Sequence, residues 1–208
     1  MTWTEITDLA TLTGIVGEPL PRVRDKARHA LTDLDVAWLS ASPFCVVATT
    51  SADGECDASP KGDPAGELVH VIDEKTIAIA ERPGNRRADG YRNLLQNPHV
   101  GLLFLIPGRG QTLRVNGSSW VTAEPALLER LTPVGKPPRT AIVVRAEEVF
   151  AHCPKAFVRS GAWQPDTWLD AGAQPSPAEV SHAHARDSAL TVADVAEMQA
   201  ESLRSRLL

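Results

Sequence analysis

The segment from Glu81 to Gly90 joins a predicted strand to a predicted helix and carries two adjacent arginines. Helix starts favour acidic residues, because the helix dipole and the free N–H groups put positive potential there. Arg86 and Arg87 at this position cost stability unless an anion lies between them, and a phosphate suits both the helix end and the guanidinium groups. The segment therefore predicts a phosphate site, with Asp89 either orienting an arginine or capping a shorter helix.

A second anion contact is predicted at Ser59-Pro60-Lys61-Gly62, where a hydroxyl, a lysine and a glycine end a strand. Each motif has a simpler alternative. Arg86 and Arg87 are equally compatible with solvated surface charges paired with local acids, and the second motif with an ordinary loop.

Strand-forming runs separated by turn residues make up the centre of the chain, and Ala52-Asp53-Gly54 is a strong hairpin signal. Strands are predicted at 44–50, 55–61, 68–72, 76–80, 99–106, 112–122 and 140–150. Helices are predicted at 21–39, 86–96 and 125–131, and from Thr191, which begins a capping box with Asp194. Short strands in hairpin order favour a closed antiparallel barrel, mainly β with added helices.

We expect a single domain over 1–208, with a core at about 40–163, a helical extension before it and an arm and helix after it. The net charge of −5 argues against nucleic-acid binding. The apolar run 100–106 is too short to cross a membrane, no signal peptide is visible, and three scattered cysteines favour a reducing cytoplasm. No metal site is expected, because His152 and Cys153 lack a companion pair at zinc spacing.

Five pieces, in this order, resemble the pyridoxamine 5′-phosphate oxidase-related FMN-binding proteins, which fold as split β-barrels. The pieces are Val46-Val47-Ala48-Thr49 with Asp53-Gly54, Ser59-Pro60-Lys61-Gly62-Asp63, Asn85-Arg86-Arg87-Ala88-Asp89-Gly90, the run 93–104 containing Asn97-Pro98, and Thr112-Leu113-Arg114-Val115-Asn116-Gly117. The resemblance covers about 44–163 and implies six to seven antiparallel strands.

The resemblance also implies a set of cofactor-binding residues. In that family the flavin lies at the dimer interface, and basic residues of the second strand and of the loop before the helix hold its phosphate. Carried over, the phosphate clamp is Lys61, Arg86 and Arg87, with Ser59 and Asn85 as hydrogen-bond partners. The strand containing Ile79 would run along the isoalloxazine ring, and Gln111, Thr112 and Arg114 would approach from the neighbouring hairpin.

The segment from His152 to Trp163 resembles the end of an FMN-binding subfamily of unassigned activity. In a helix from Pro154, Lys155 and Arg159 share one face at i and i+4, followed by Trp163, and the stripe would flank a flavin or an anionic substrate. The alternative is an exposed basic face with a packed tryptophan. The Arg-x-His pattern that binds substrate in true pyridoxamine phosphate oxidases is not found.

The resemblance implies a homodimeric, FMN-dependent oxidoreductase acting on an unidentified small molecule. Flat apolar strands such as 100–106 also favour a dimer. The alternatives are a deazaflavin-dependent reductase and a non-catalytic flavin or haem binder. A haem binder would use His70, His99 or His152.

Overall fold

The computed structural model describes residues 3–132, 136–185 and 189–206. One antiparallel sheet of seven strands, in the order β2-β1-β5-β6-β7-β4-β3, forms the centre of the fold. The strands are β1 (Phe44–Thr50), β2 (Cys56–Gly62), β3 (His70–Asp73), β4 (Thr76–Ala80), β5 (His99–Leu105), β6 (Thr112–Thr122) and β7 (Ala141–His152). The predicted split β-barrel is therefore confirmed, and the predicted strand ends are within two residues of the observed ones.

The helices lie before, between and after the strands. They are α1 (Leu9–Val16), α2 (Pro21–Arg24), α3 (Asp33–Ala41), α4 (Asp89–Gln96), α5 (Pro125–Arg130), α6 (Lys155–Ser160), α7 (Pro177–Ala183) and α8 (Val192–Arg206). Helix α8 begins at the predicted capping box, where Thr191 and Asp194 exchange hydrogen bonds. The C-terminal arm contains two 3₁₀ turns and α7, and positions 186–187 of the predicted arm lie outside the described residues. No helix of the described ranges is long and apolar enough to cross a membrane.

The long strands β6 and β7 connect the two halves of the sheet. The first part of β6 pairs with β5, whereas Ala141 to Arg145 of β7 pair with β4. Between these parts the β6–β7 register shifts at Asn116/Gly117, and a Cβ atom on Gly117 would overlap the carbonyl oxygen of Arg145. Glycine at this bulge therefore lets the two strands approach closely and lets the sheet bend.

The alternation of buried and exposed residues follows the strand period, as in β1, where Cys45, Val47 and Thr49 are buried. Cys45 and Val47 join side chains of β4, β5, β6 and β7 in one apolar core, with Phe104 among its largest fully buried members. Side chains next to them, on the outer face, are more exposed.

The predicted helix at 21–39 is wrong, because it is broken into α2 and α3. Between them, Arg28 forms an isolated β-bridge with Val149, with hydrogen bonds of 3.0 and 2.8 Å between their main chains. Thr32 and Asp35 then form a capping box that starts α3. Pairing with the distant strand β7 overrides the local helical spacing.

The predicted helix at 86–96 starts three residues late, at Asp89. Arg86 has φ 65° and Ala88 has φ 55°, so the chain before α4 takes the left-handed conformation that interrupts a helix. The two arginines consequently lie in the loop before the helix and not in its first turn.

Candidate functional site

A largely buried ion pair fixes the loop after β4 against the end of β2. Arg82 Nε lies 2.9 and 3.0 Å from the two carboxylate oxygens of Asp63, and Arg82 Nη1 donates to the Leu131 carbonyl at 3.1 Å. The Asp63 side chain is only 6% exposed. This contact brings Glu81 and the residues that follow it next to Lys61, twenty positions earlier in the chain.

A cleft of about 280 Å³ lies between β2, the loop after β4 and the start of α4; we call it the β2–α4 cleft. Five of the predicted cofactor-binding residues line it, namely Ser59, Lys61, Asn85, Arg87 and Asp89. Asp57, Glu81 and Tyr91 also line it and were not predicted. Arg86 is exposed and does not line this cleft.

Three predicted phosphate ligands in the cleft, Ser59, Lys61 and Arg87, are each paired with a carboxylate. Lys61 Nζ lies 2.8 Å from Glu81 Oε2, and Arg87 Nε donates to Asp89 Oδ2 at 2.7 Å. The Ser59 hydroxyl donates to Asp57 Oδ2 at 2.6 Å. Asp89 thus orients an arginine, as the sequence suggests, while Ala88 occupies the cap position.

The main chain at 86–88 is strained. Arg86 and Ala88 are the non-glycine residues with positive φ among those described, and the Asn85 side-chain oxygen accepts a hydrogen bond from the Arg87 N–H at 3.0 Å. Such strain, about 1–3 kcal/mol per residue, clusters at functional sites.

Tyr91 is the main cleft residue that sequence reasoning missed. Its hydroxyl is buried without a hydrogen bond of ordinary geometry to a described residue, and Lys61 Nζ lies 5.3 Å from the centre of its ring. Burial, and then the neighbouring Glu81 carboxylate, raise the pKa of Tyr91, so the hydroxyl keeps its proton. The one available signal is that Tyr91 is the only tyrosine in the chain.

Six further predicted residues, which we call the hairpin group, lie around the β5–β6 turn and α6. The group comprises Gln111, Thr112, Arg114, Lys155, Arg159 and Trp163. Thr112 is buried, whereas Gln111, Lys155 and Arg159 are exposed. Trp163 stacks on Phe157 and donates from Nε1 to the Arg109 carbonyl at 2.8 Å, so it is packed onto the turn.

The hairpin group is separated from the cleft within one chain. Lys61 pairs with Cys45, Cys45 pairs with Phe104, and Phe104 pairs with Leu113. Three strand spacings of about 4.8 Å therefore separate Lys61 from Leu113, next to Thr112 and Arg114, by about 14 Å along the sheet. The Ile79 side chain is fully buried in the core; its main chain pairs with Ile142 on one side, and the β3 pairing on the other side ends at Ala78.

The histidines considered for haem lie on three strands: His70 on β3, His99 at the start of β5 and His152 at the end of β7. His99 pairs with Ser118 and His152 with Thr112, six residues apart on β6, which corresponds to about 20 Å. Across the described residues, no three His, Cys, Asp or Glu side chains cluster as metal ligands would.

The family model for pyridoxamine 5′-phosphate oxidase matches residues 31–153, which contain all seven strands and the whole β2–α4 cleft. The chain belongs to the pyridoxamine 5′-phosphate oxidase family. None of the curated proteins matches it by sequence.

Several solved structures are similar to the chain. A putative pyridoxamine 5′-phosphate oxidase of Lactobacillus delbrueckii is 21% identical over 60% of this chain and 98% of its own, with a TM-score of 0.48. HupZ of Group A Streptococcus is 20% identical over 58% and 93%, with a TM-score of 0.47. A pyridoxamine 5′-phosphate oxidase-related, FMN-binding protein of Nostoc punctiforme is 11% identical over 58% and 84%, with a TM-score of 0.42.

Proposed function

We propose that the chain is an FMN-dependent oxidoreductase that binds the flavin phosphate in the β2–α4 cleft. The observation that carries the proposal is the convergence of Ser59, Lys61 and Arg87 on one cleft beside a strained loop, in a chain of this family. A hydroxyl, an ammonium and a guanidinium are the donors that suit a phosphate. Their carboxylate partners are the counter-charges that a phosphate would replace.

The size of the cleft supports binding of only one end of the flavin there. Pockets that enclose a drug-sized ligand measure about 300–1,000 Å³, whereas the cleft holds about 280 Å³. The phosphate and part of the ribityl chain fit it, and the ring is left for a surface outside it. Bound flavin would supply the redox chemistry, and this chain would supply positioning and charge.

A second copy of the chain is the proposed source of that surface. Pro60, Val46, Leu103 and Arg114 follow one another across the outer face of the sheet in the strand register. In a dimer that pairs these outer faces, the hairpin group of one subunit would approach the cleft of the other. Arg114 would then be available beside the ring, where a cation favours the negative charge gained on reduction.

The first test is to purify the protein without added cofactor, record its visible absorption and identify any released chromophore by mass. We expect a yellow protein that releases FMN and, once stripped, binds FMN more tightly than riboflavin, which lacks the phosphate. A colourless protein that also refuses added FMN would contradict the proposal, and deazaflavin and haem would be the next ligands to test.

The dimer is tested by replacing Leu103 with glutamate. Sedimentation at micromolar concentration should give a dimer for the unchanged protein and a monomer with weaker FMN binding for L103E, because a charge would be buried in an apolar interface. The matched control is Leu34→Glu, on α3, whose side chain is 82% exposed in the chain and should tolerate the charge. A monomeric unchanged protein that binds FMN fully would refute this assembly.

A further inference from the structure

The ion pair between Lys61 and Glu81 poses a problem for a phosphate site. Both side chains are largely buried, with 18% and 31% exposed, and their charged atoms lie 2.8 Å apart. Asp57, Glu81 and Asp89 oppose only Lys61 and Arg87 among the residues lining the cleft, so its formal charge is negative. A phosphate that contacts Lys61 would therefore meet the Glu81 carboxylate, and like charges in a partly buried site repel strongly.

The other acidic partners in the cleft are easier to displace. Arg87 and Asp89 are 73% and 41% exposed, so water screens their interaction and breaking it costs little. Asp57 accepts a hydrogen bond from a neutral hydroxyl, which can rotate toward another acceptor. Glu81 differs from them because it is largely buried. If it separates from Lys61, its carboxylate needs a new hydrogen-bond partner.

Tyr91 is placed to be that partner. The centre of its ring lies 5.3 Å from the Lys61 ammonium, which itself lies 2.8 Å from Glu81 Oε2, and its hydroxyl is buried without an ordinary hydrogen bond to the described residues. A buried hydroxyl without an acceptor is costly to leave in that state. Both members of the ion pair therefore already adjoin this side chain.

We propose that Glu81 is a displaceable counter-ion of Lys61, and that Tyr91 donates to its carboxylate when a phosphate takes the lysine. The inference rests on the proposed function, whose cleft it concerns. Glu81 keeps Lys61 neutralised while the cleft is empty of anion, and Tyr91 stabilises the carboxylate after the exchange. The pair thereby sets the affinity for the phosphate end of the ligand and leaves the ring end unaffected.

The test compares FMN with riboflavin in the stripped protein. Glu81→Gln should tighten FMN binding about fivefold to tenfold, because it removes one nearby negative charge, and should leave riboflavin binding unchanged. Glu197→Gln, which removes the same charge from the exposed surface of α8, is the matched control and should change neither. An E81Q variant that binds FMN no more tightly than E197Q overturns the proposal.

Tyr91→Phe supplies the second arm, because it removes a single oxygen atom and preserves the ring beneath Lys61. We expect it to weaken FMN binding about threefold to fivefold, the loss of one hydrogen bond, without changing riboflavin binding. When Tyr91→Phe is combined with E81Q, the loss of FMN affinity should be well below about threefold. The reason is that Lys61 then has no carboxylate to give up when the phosphate binds. An equal loss in both backgrounds would show that Tyr91 does not act through Glu81.

A measurement with inorganic phosphate distinguishes failure of this inference from failure of the proposed function. If the unchanged protein binds neither FMN nor riboflavin, the proposed function fails, while the ion exchange is still decided by phosphate-dependent thermal stabilisation. E81Q should then reach half of its stabilisation at a lower phosphate concentration than the unchanged protein and E197Q. Identical phosphate dependence in all three proteins would overturn the inference.

Discussion

Replacing Arg87 by alanine should lower FMN affinity by about 30-fold to 160-fold, since a charge-assisted hydrogen bond to a phosphate contributes about 2–3 kcal/mol. Arg87 lines the β2–α4 cleft, and its guanidinium is held by Asp89 at 2.7 Å. The measurement is titration of the stripped protein with FMN, followed by flavin fluorescence. Riboflavin affinity should change little, because the ligand lacks the group that Arg87 binds.

Arg86 offers a control of the same residue type at the next position. It is exposed and does not line the cleft, so R86A should bind FMN within about twofold of the unchanged protein, as surface changes usually do. The R86A/R87A double variant should then lose no more affinity than R87A alone. If R86A instead weakens FMN binding as much as R87A, the phosphate lies on the other side of the loop.

Replacing Asp63 by alanine should lower the free energy of unfolding by about 3–5 kcal/mol, as expected when one partner of a buried ion pair is removed. Arg82 is 20% exposed, and its Nη2 atom is already buried without a hydrogen-bond partner among the described residues. Without Asp63, most of the guanidinium would be buried and uncompensated. Urea denaturation followed by circular dichroism measures the loss.

Asp25→Ala is the control for the removal of an aspartate from an arginine. Arg24 and Asp25 lie 2.8 Å apart but are 63% and 61% exposed, so their separation should cost less than about 1 kcal/mol. The double variant Arg82→Met with Asp63→Leu should recover much of the stability lost in D63A, because it leaves no buried charge. A loss in D63A as small as in D25A would mean that the pair is solvated.

The strands could be predicted from sequence because their signals are local. The alternating burial in β1 and the turn at Ala52-Asp53-Gly54 both depend on residues that are adjacent in the sequence. The observed β1–β2 hairpin contains both features. The break between α2 and α3 could not, because it depends on Arg28 pairing with Val149, more than one hundred residues away. The late start of α4 depends on positive φ at Arg86 and Ala88, for which these residue types give no warning.

The candidate site likewise has a part that could be predicted from the sequence and a part that could not. The motif order suggested that Lys61 and Arg87 act together, and both line one cleft. The acids that neutralise them were harder to foresee, because Glu81 reaches Lys61 only through the sheet register and the Arg82–Asp63 contact. The role of the hairpin group stays a prediction, since it depends on a second subunit.

The pairing of β4 with β7 limits how much of the sheet can form while the chain is still being synthesised. β1 and β4 emerge from the ribosome early, but β1 needs β5 as a neighbour and β4 needs β7. Contacts between residues so distant in sequence slow folding, and the edges that await them are open to misassociation. A nascent chain that ends before Ala141 therefore carries hairpins without their partners, and translation through β7 is the step that commits it to the native topology.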